Sequence, residues 1–201
     1  MSVSVEYNNR EINQNVIENI LKMLERRKII ESWENELKKI NIDDFQNKSN
    51  FELNNIKFGI YLVNAKLTTI VQGHPLDVYL SNNLDIHKII IAKDVAKKVV
   101  KQIVNDYKNA EFFFESEMFE DIPSKIFMPK HEIITGEEKE EILSKFNETE
   151  LARIFLTDMM ARYYGAKFGD IFKITRPSFT AGKNIFYRRV VNSSWDILFE
   201  K

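Results

Sequence analysis

The residue types that most often carry metal or nucleophilic chemistry are sparse in this chain. It contains no cysteine, which excludes disulfides, thiolate metal sites and a cysteine nucleophile. His74, His87 and His131 are isolated in the sequence, and no His-x-x-x-His pair that could hold zinc from one helix occurs. A Gly-x-Ser-x-Gly turn for a nucleophilic serine is also absent. We therefore expect no metal and no cofactor, and we assign the histidines structural or solvent-facing roles.

The run Thr-Ala-Gly-Lys at 180–183 is similar to the end of a phosphate-binding loop. The complete loop needs a glycine five residues before Gly182, where Pro177 stands. It also needs a serine or threonine after the lysine, where Asn184 stands. Both requirements fail, so the run is interpreted as a flexible connection between two strands.

Carboxylates offer one remaining route to catalysis. The acidic run at 137–141 is explained by the dipole of a helix that begins there. A magnesium-dependent nuclease would need an acid and an acid-x-Lys triplet on a βαβ core. Asp85 precedes one predicted strand and Glu111 lies on the next, but no lysine follows either acid at that spacing. A stand-alone nuclease-like DNA-binding protein, with Asp85 and Glu111 as its acids, is kept as the alternative function.

These residues lie in a first module of helices and strands. Apolar residues at three- and four-residue spacings predict a helix over 11–28, and a second helical segment is expected over 32–40. The polar, asparagine-rich run 42–55 is expected to be a loop. β-Branched and aromatic residues predict a strand over 56–64 with a hairpin partner over 67–72.

A strand–helix–strand pattern follows in the same module. Strands are predicted over 86–92 and 110–114, and the helix between them is expected to be capped by Asp94 and to run to about Tyr107. This spacing predicts a βαβ unit with two parallel strands. The first module is therefore expected to be α/β, with a helix and a small mixed sheet.

The second module is predicted to be a compact α+β unit. Thr135 and Glu138 have the spacing of a capping box, which predicts a helix over 136–146. Two helical turns are expected over 150–154 and 157–164. Two strands are expected over 171–176 and 184–191, joined by a connection over 177–183. Alternation of residue types along 171–176 predicts one apolar and one polar face for that strand.

Charge is distributed unevenly along the chain. The net charge is -1, yet residues 151–191 hold eight basic and two acidic residues, a net charge of +6. A basic region on a nearly neutral protein favours a specific acidic partner, either protein or nucleic acid, over general coating of nucleic acid. No run of 18 apolar residues occurs, so we expect no contact with a membrane.

Several separate motifs of the second module agree in order and spacing with one known family. They are Met-Pro-Lys-His-Glu-Ile-Ile at 128–134, Leu-Ala-Arg-Ile at 151–154, Ala-Arg-Tyr-Tyr-Gly-Ala-Lys-Phe-Gly-Asp at 161–170 and Lys-Ile-Thr-Arg-Pro-Ser-Phe-Thr-Ala-Gly-Lys at 173–183. Here the chain resembles the assembly domain shared by the fifth common subunit of eukaryotic RNA polymerases I, II and III and by its shorter counterpart in archaeal RNA polymerase. The match covers about residues 127–191.

The resemblance implies two domains, a jaw domain over 1–126 and an assembly domain over 127–201. The first part resembles the jaw domain only in length, leading helix and βαβ order. The archaeal counterpart lacks a jaw, so a two-domain chain resembles the eukaryotic form or a copy encoded by a large DNA virus. The lysine- and asparagine-rich composition favours the viral copy. A cellular copy would lie in the nucleus, and a viral copy in the virion or a cytoplasmic viral factory.

The implied function is that of a non-catalytic subunit of a DNA-directed RNA polymerase. In the family the assembly domain docks on the largest subunit, beside neighbouring small subunits, and the jaw domain guides downstream duplex DNA. One copy would be present in a hetero-oligomeric complex. On the jaw, Lys97, Lys98 and Lys101 are the candidates to face DNA phosphates, although a solvated helix face is the favoured interpretation of these three residues. The residues implied for the docking face or its internal support are Arg153, Asp158, Arg162, Tyr163, Arg176, Ser178, Thr180, Gly182, Tyr187 and Arg188.

Overall fold

A computed structural model of the chain describes residues 9–40, 48–53, 56–63, 65–107, 109–178 and 182–199. The chain divides into two compact units, residues 1–121 and 122–201. Each unit contains one four-stranded sheet with helices, so the fold class is α+β, as predicted. No helix within the described residues is long and apolar enough to cross a bilayer.

The first unit contains five helices and four strands in its described part. The helices are α1 (Asn9–Arg26), α2 (Trp33–Leu37), α3 (Pro75–Asn82), α4 (Lys97–Asp106) and α5 (Glu115–Met118). The strands are β1 (Lys48–Leu53), β2 (Ile56–Val63), β3 (His87–Ala92) and β4 (Ala110–Phe114).

The sheet of the first unit is mixed, with the order β1-β2-β3-β4. β1 and β2 are antiparallel, whereas β2, β3 and β4 are mutually parallel. The central strand β3 contains an apolar run, Ile89 to Ala92, that is buried throughout. Burial on both faces is typical of a strand flanked by parallel neighbours. The β3–α4–β4 segment is the βαβ unit that the sequence predicts.

Helix α1 packs against the rest of the first unit through its apolar face, and polar contacts connect it with the last residues of that unit. Ile17, Ile20 and Leu24 are fully buried at helical spacing. The Asn19 side chain donates a hydrogen bond of 2.9 Å to the Met118 carbonyl oxygen. At the end of the helix, Arg26 forms an ion pair with Asp121, with Nη2 2.7 Å from Oδ2. The next residue, Arg27, forms an ion pair with Glu111.

Two predictions in the first unit are wrong: one segment predicted as a loop contains a strand, and one predicted strand does not form. The asparagine-rich run predicted as a loop over 42–55 contains β1, and its residues 42–47, 54 and 55 lie outside the described residues. β1 is an edge strand paired with β2 through its backbone, so its formation needs no alternating apolar pattern. The hairpin partner expected over 67–72 does not form. β3 occupies that side of β2, and Leu67 makes only an isolated bridge with Val95.

Helix starts in the first unit also differ from the prediction. α4 begins after Ala96 without a side-chain cap, and Asp94 pairs instead with Lys66 at 3.1 Å. α3 was not predicted. His74 Nδ1 accepts a hydrogen bond of 3.2 Å from the Leu76 amide, and Pro75 occupies the first turn. Proline there needs no amide donor, so Pro75 was an available signal.

The second unit contains four strands and two α-helices in its described part. The strands are β5 (Lys130–Ile134), β6 (Ala152–Phe155), β7 (Ile171–Ser178) and β8 (Gly182–Val191), and the helices are α6 (Gly136–Lys145) and α7 (Met159–Tyr163). The sheet order is β5-β7-β8-β6, in which only β6 and β8 are parallel. Short 3₁₀ turns lie at Ile122–Ser124 and Trp195–Phe199.

Both faces of this sheet are covered near the start of β7. Phe172 and Ile174 belong to a buried cluster with Ile154, Ala161 of α7 and Val190. Ile171, one residue away and therefore on the opposite face, belongs to a cluster with Ile134, Ile142 of α6 and Leu151. The prediction of one apolar and one polar face on this strand is thus wrong at Ile171, because α6 covers that end of the second face.

Two further predictions in the second unit fail for tertiary reasons. The segment expected as a helical turn over 150–154 contains strand β6, because its backbone pairs with β8 and Ile154 is buried. The helix after Thr135 forms, but the capping box does not: Thr135 makes no capping bond. The Glu138 carboxylate accepts a hydrogen bond of 2.7 Å from Lys173 Nζ instead.

Candidate docking site

An open groove lies on the α7 face of the second sheet, beyond the part that α7 covers. Its volume is about 320 Å³, and its lining includes Arg176 of β7 and Arg188 of β8. Strand register explains why these two side chains share a face: Arg188 lies opposite Phe172, Phe186 opposite Ile174, and Arg176 two residues beyond Ile174. The structure therefore brings together two of the arginines that the sequence selected.

The rest of the groove comes from residues that sequence reasoning did not assign to a site. Ile174 is 8% exposed and Phe186 is 48% exposed, so they form an apolar floor that solvent reaches. Pro129 and His131, at the start of β5, complete the lining. The available signal was the exposed aromatic Phe186 at alternate spacing with Arg188, but strand pairing is needed to place His131 beside them.

His131 is held in one orientation and favours its neutral form. Its Nδ1 lies 2.8 Å from the Pro129 carbonyl oxygen, which can only accept, so Nδ1 carries the proton. Its ring meets Phe172 nearly edge-on, with centroids 5.9 Å apart. Burial lowers the pKa of His131, while the hydrogen bond to Pro129 and the nearby Asp158 carboxylate oppose that change. The cationic character of the groove therefore comes from its arginines.

Helix α7 supports this face from within. Asp158 caps the helix, because its Oδ1 accepts a hydrogen bond of 2.8 Å from the Met160 amide, and it remains exposed. Arg162 is 8% exposed and its Nε donates to the Thr157 carbonyl oxygen at 3.0 Å. Tyr163 is 2% exposed. Arg162 and Tyr163 thus lie in the interior of the isolated chain, whereas Asp158 lies at its surface.

The remaining residues selected for docking are spread over both faces. Ala152 lies opposite Arg188 and Arg153 lies opposite Arg189, so the exposed Arg153 side chain projects from the face opposite the groove. Tyr187 packs against the cluster under α6. Ser178 and Gly182 form the last pair of the β7–β8 hairpin, where Gly182 has a φ of +70° that favours glycine. Thr180 lies outside the described residues.

The three lysines selected on the first unit lie along α4. Lys97 and Lys98 are exposed in its first turn and Lys101 is partly buried, while Val99 and Ile103 of the same helix are fully buried. Positive charge is unfavourable at a helix N-terminus, since the helix dipole is positive there.

The acids of the nuclease alternative are not arranged for metal binding. Glu111 Oε2 lies 2.7 Å from Arg27 Nη2, and Glu111 Oε1 lies 2.7 Å from His87 Nε2. Burial alone would raise the pKa of the Glu111 carboxyl, but the hydrogen bonds from His87 and Arg27 outweigh it and lower that pKa to about 2. Within the described part of the chain, no three His, Asp or Glu side chains form a cluster that could hold a metal ion.

Comparison with known proteins assigns the second unit to a family. Residues 120–190 match the family model described as RNA polymerase Rpb5, C-terminal domain. DNA-directed RNA polymerase subunit Rpo5 of Nitrosopumilus maritimus is 50% identical over 72 residues, which are 35% of this chain and 87% of that protein. The RPABC1 subunit of DNA-directed RNA polymerases I, II and III of Caenorhabditis briggsae is 37% identical over 108 residues, 51% of each chain.

A viral protein is also similar. DNA-directed RNA polymerase subunit 5 of Acanthamoeba polyphaga mimivirus is 29% identical over 136 residues, 67% of this chain and 65% of that protein. This alignment is longer than the second unit, so it reaches into the first.

The chain spans about half of the length of the worm subunit and most of the length of the archaeal one. The nuclease alternative gains no support from these relatives. The chain belongs to the RNA polymerase Rpb5 C-terminal domain family, as its motifs predicted.

Proposed function

We propose that this chain is a non-catalytic subunit of a multisubunit DNA-directed RNA polymerase. The observation that carries the proposal is the 50% identity of its second unit to an archaeal polymerase subunit that is little longer than that unit. A non-catalytic role is supported by Glu111, the best-placed acid of the first unit, because Arg27 and His87 occupy both of its oxygens.

The second unit is proposed to be the assembly domain and to dock on the largest subunit, beside neighbouring small subunits. Its net positive region 151–191 and its groove of exposed arginine and phenylalanine have the composition of a protein interface. The first unit is proposed to be a jaw domain that contacts downstream duplex DNA through the lysine-bearing side of α4. One copy would be present in each complex.

The similarity to a mimivirus subunit and the lysine- and asparagine-rich composition favour a polymerase encoded by a large DNA virus, active in the virion or a cytoplasmic viral factory. A cellular copy would act in the nucleus. Mass spectrometry of the proteins that co-elute with the tagged full-length chain from its native source tests the function and the origin together. Co-elution with large polymerase subunits is expected, and elution as a free monomer would contradict the proposal.

Residues 122–201 alone are expected to fold and to co-elute with the polymerase. Both buried clusters of this unit are built from its own residues, and the archaeal relative consists almost entirely of the matching segment. Circular dichroism would show a cooperative melting transition, and affinity purification would recover the large subunits. Residues 1–121 serve as the matched control and should recover much less polymerase. An unfolded 122–201 fragment, or recovery by the control alone, would refute the assignment of docking to the second unit.

Binding of duplex DNA by the isolated full-length chain is expected to be weak and strongly salt-dependent, because phosphate contacts release counterions. Replacing Lys97 and Lys98 by glutamate should reduce the slope of log K against log salt by about 1–2. The control is the same change at Lys38 and Lys39, two adjacent exposed lysines after α2. Equal slopes for the two variants, measured by fluorescence anisotropy, would remove α4 as the DNA-facing helix.

A further inference from the structure

We infer that the groove on the second unit takes an extended acidic segment of a partner protein, in which an apolar side chain stands between two carboxylates. The inference rests on the proposed function, in which this unit docks on a polymerase subunit, and it adds the chemistry of the segment that is recognised. The groove is defined by Pro129, His131, Ile174, Arg176, Phe186 and Arg188.

The first argument is charge. Arg176 and Arg188 are both exposed in this groove, and neither has a carboxylate partner among the described residues. Arg188 Nη1 donates a long hydrogen bond of 3.5 Å to the Arg153 carbonyl oxygen. Asp158 is near enough to act on His131, but one of its oxygens caps α7. Arginine forms paired hydrogen bonds with carboxylates, so two unpaired guanidinium groups at one groove favour an acidic ligand.

The second argument is spacing. Arg188 lies opposite Phe172 on neighbouring strands, and Arg176 lies four residues beyond Phe172. At strand geometry the two arginines are separated by about 13 Å along the hairpin. Phe186 and Ile174 occupy the middle of that interval on the same face. An extended peptide places residues i, i+2 and i+4 on one side over the same length, so the matching pattern is acid-x-apolar-x-acid.

The third argument favours protein over nucleic acid. A phosphate backbone is held by a continuous series of cations, whereas here the two guanidinium groups are separated by an aromatic and aliphatic floor. His131, which completes the lining, has a lowered pKa through burial and supplies no third positive charge at neutral pH. Arginines beside a partly exposed aromatic ring are typical of the centre of a protein interface.

The occupant can be identified by photo-cross-linking in the assembled complex. The full-length tagged chain would carry p-benzoylphenylalanine in place of Phe186, with Ile185 as the control position. Ile185 is 50% exposed on the same strand but on the opposite face. After irradiation and digestion, the Phe186 variant is expected to cross-link to a segment of a polymerase subunit with the acid-x-apolar-x-acid pattern, and the Ile185 variant is not. A cross-link to DNA, to a segment without acidic residues, or to no protein would overturn the inference.

Charge reversal tests the same groove by affinity. Arg176→Glu with Arg188→Glu is expected to weaken retention on the polymerase by roughly 100-fold, because each proposed pairing of an arginine with a partner carboxylate would become repulsive. Lys167→Glu with Lys183→Glu changes the net charge equally at exposed positions outside the groove and should alter retention by less than about threefold. Thermal melting of both variants checks that they remain folded. If the wild type binds the polymerase and the two double variants are retained equally well, the inferred role of the groove is refuted while the proposed function stands. If the wild type itself fails to bind, the proposed function is refuted.

Discussion

Glu111→Gln is expected to lower the free energy of unfolding of the first unit by about 3 kcal/mol at pH 7. The Arg27 side chain is only 6% exposed, so the substitution leaves a buried guanidinium without its carboxylate. His87 also loses a charged acceptor at 2.7 Å. Urea unfolding measures the change. The chain has two tryptophans, Trp33 in the first unit and Trp195 in the second, so a Trp195→Phe background makes fluorescence report on the first unit.

The pH dependence of this effect has a definite sign. The folded-state pKa of Glu111 is about 2, below its ordinary value of 4.5. A group with a depressed pKa stabilises the fold above its ordinary pKa and loses that contribution as the pH falls through the folded value. The wild type should therefore lose stability between about pH 4.5 and 2, and Glu111→Gln should lose much less over that range.

The control for Glu111→Gln is Asp94→Asn in the same unit. Asp94 pairs with Lys66 at 3.1 Å, but both side chains are more than half exposed. Solvent-exposed ion pairs contribute little, so the change should be below about 1 kcal/mol. If the two substitutions were equally mild, the pairing of Arg27 with Glu111 could not be a stabilising feature of the unit.

The elements that the sequence predicted correctly are those whose signal is local. Helix α1 places an apolar residue every three or four positions, and β3 contains three consecutive isoleucines. β1 and β6 lack such signals. β1 is a strand because its backbone pairs with the antiparallel strand β2, and β6 is a strand because its backbone pairs with β8, more than 30 residues further along the chain. The apolar periodicity of a segment does not encode such pairing. The same limit explains Glu138, whose partner is a lysine 35 residues away.

The site was predictable by residue type but not by arrangement. Motif similarity selected Arg153, Arg162, Arg176 and Arg188 together, and the structure separates them into three environments. Arg162 is buried against the Thr157 carbonyl oxygen, Arg153 projects from the opposite face, and only Arg176 and Arg188 share the groove. Burial and strand register decide this, and neither is visible in a motif.

Phe172 connects the core of the second unit to its groove. It is completely buried between α7 and the sheet, and its ring meets those of His131 and Tyr164 edge-on, at 5.9 and 6.1 Å. His131 in turn lines the groove together with Arg188, which lies opposite Phe172 across the strand pair. Loss of this ring would remove the support beneath the proposed binding face as well as a large part of the buried apolar surface.

Phe172→Ala is expected to destabilise the second unit by about 3–5 kcal/mol, through lost burial and the cavity that remains. A unit of this size has a total stability of only about 4–12 kcal/mol, so polymerase docking should fall with it. Unfolding followed by Trp195 fluorescence in a Trp33→Phe background measures the loss. The control, Phe168→Ala, removes a ring that is 57% exposed over Arg189 and should change stability by less than about 1 kcal/mol. Comparable losses from both substitutions would mean that Phe172 does not form the centre of this core.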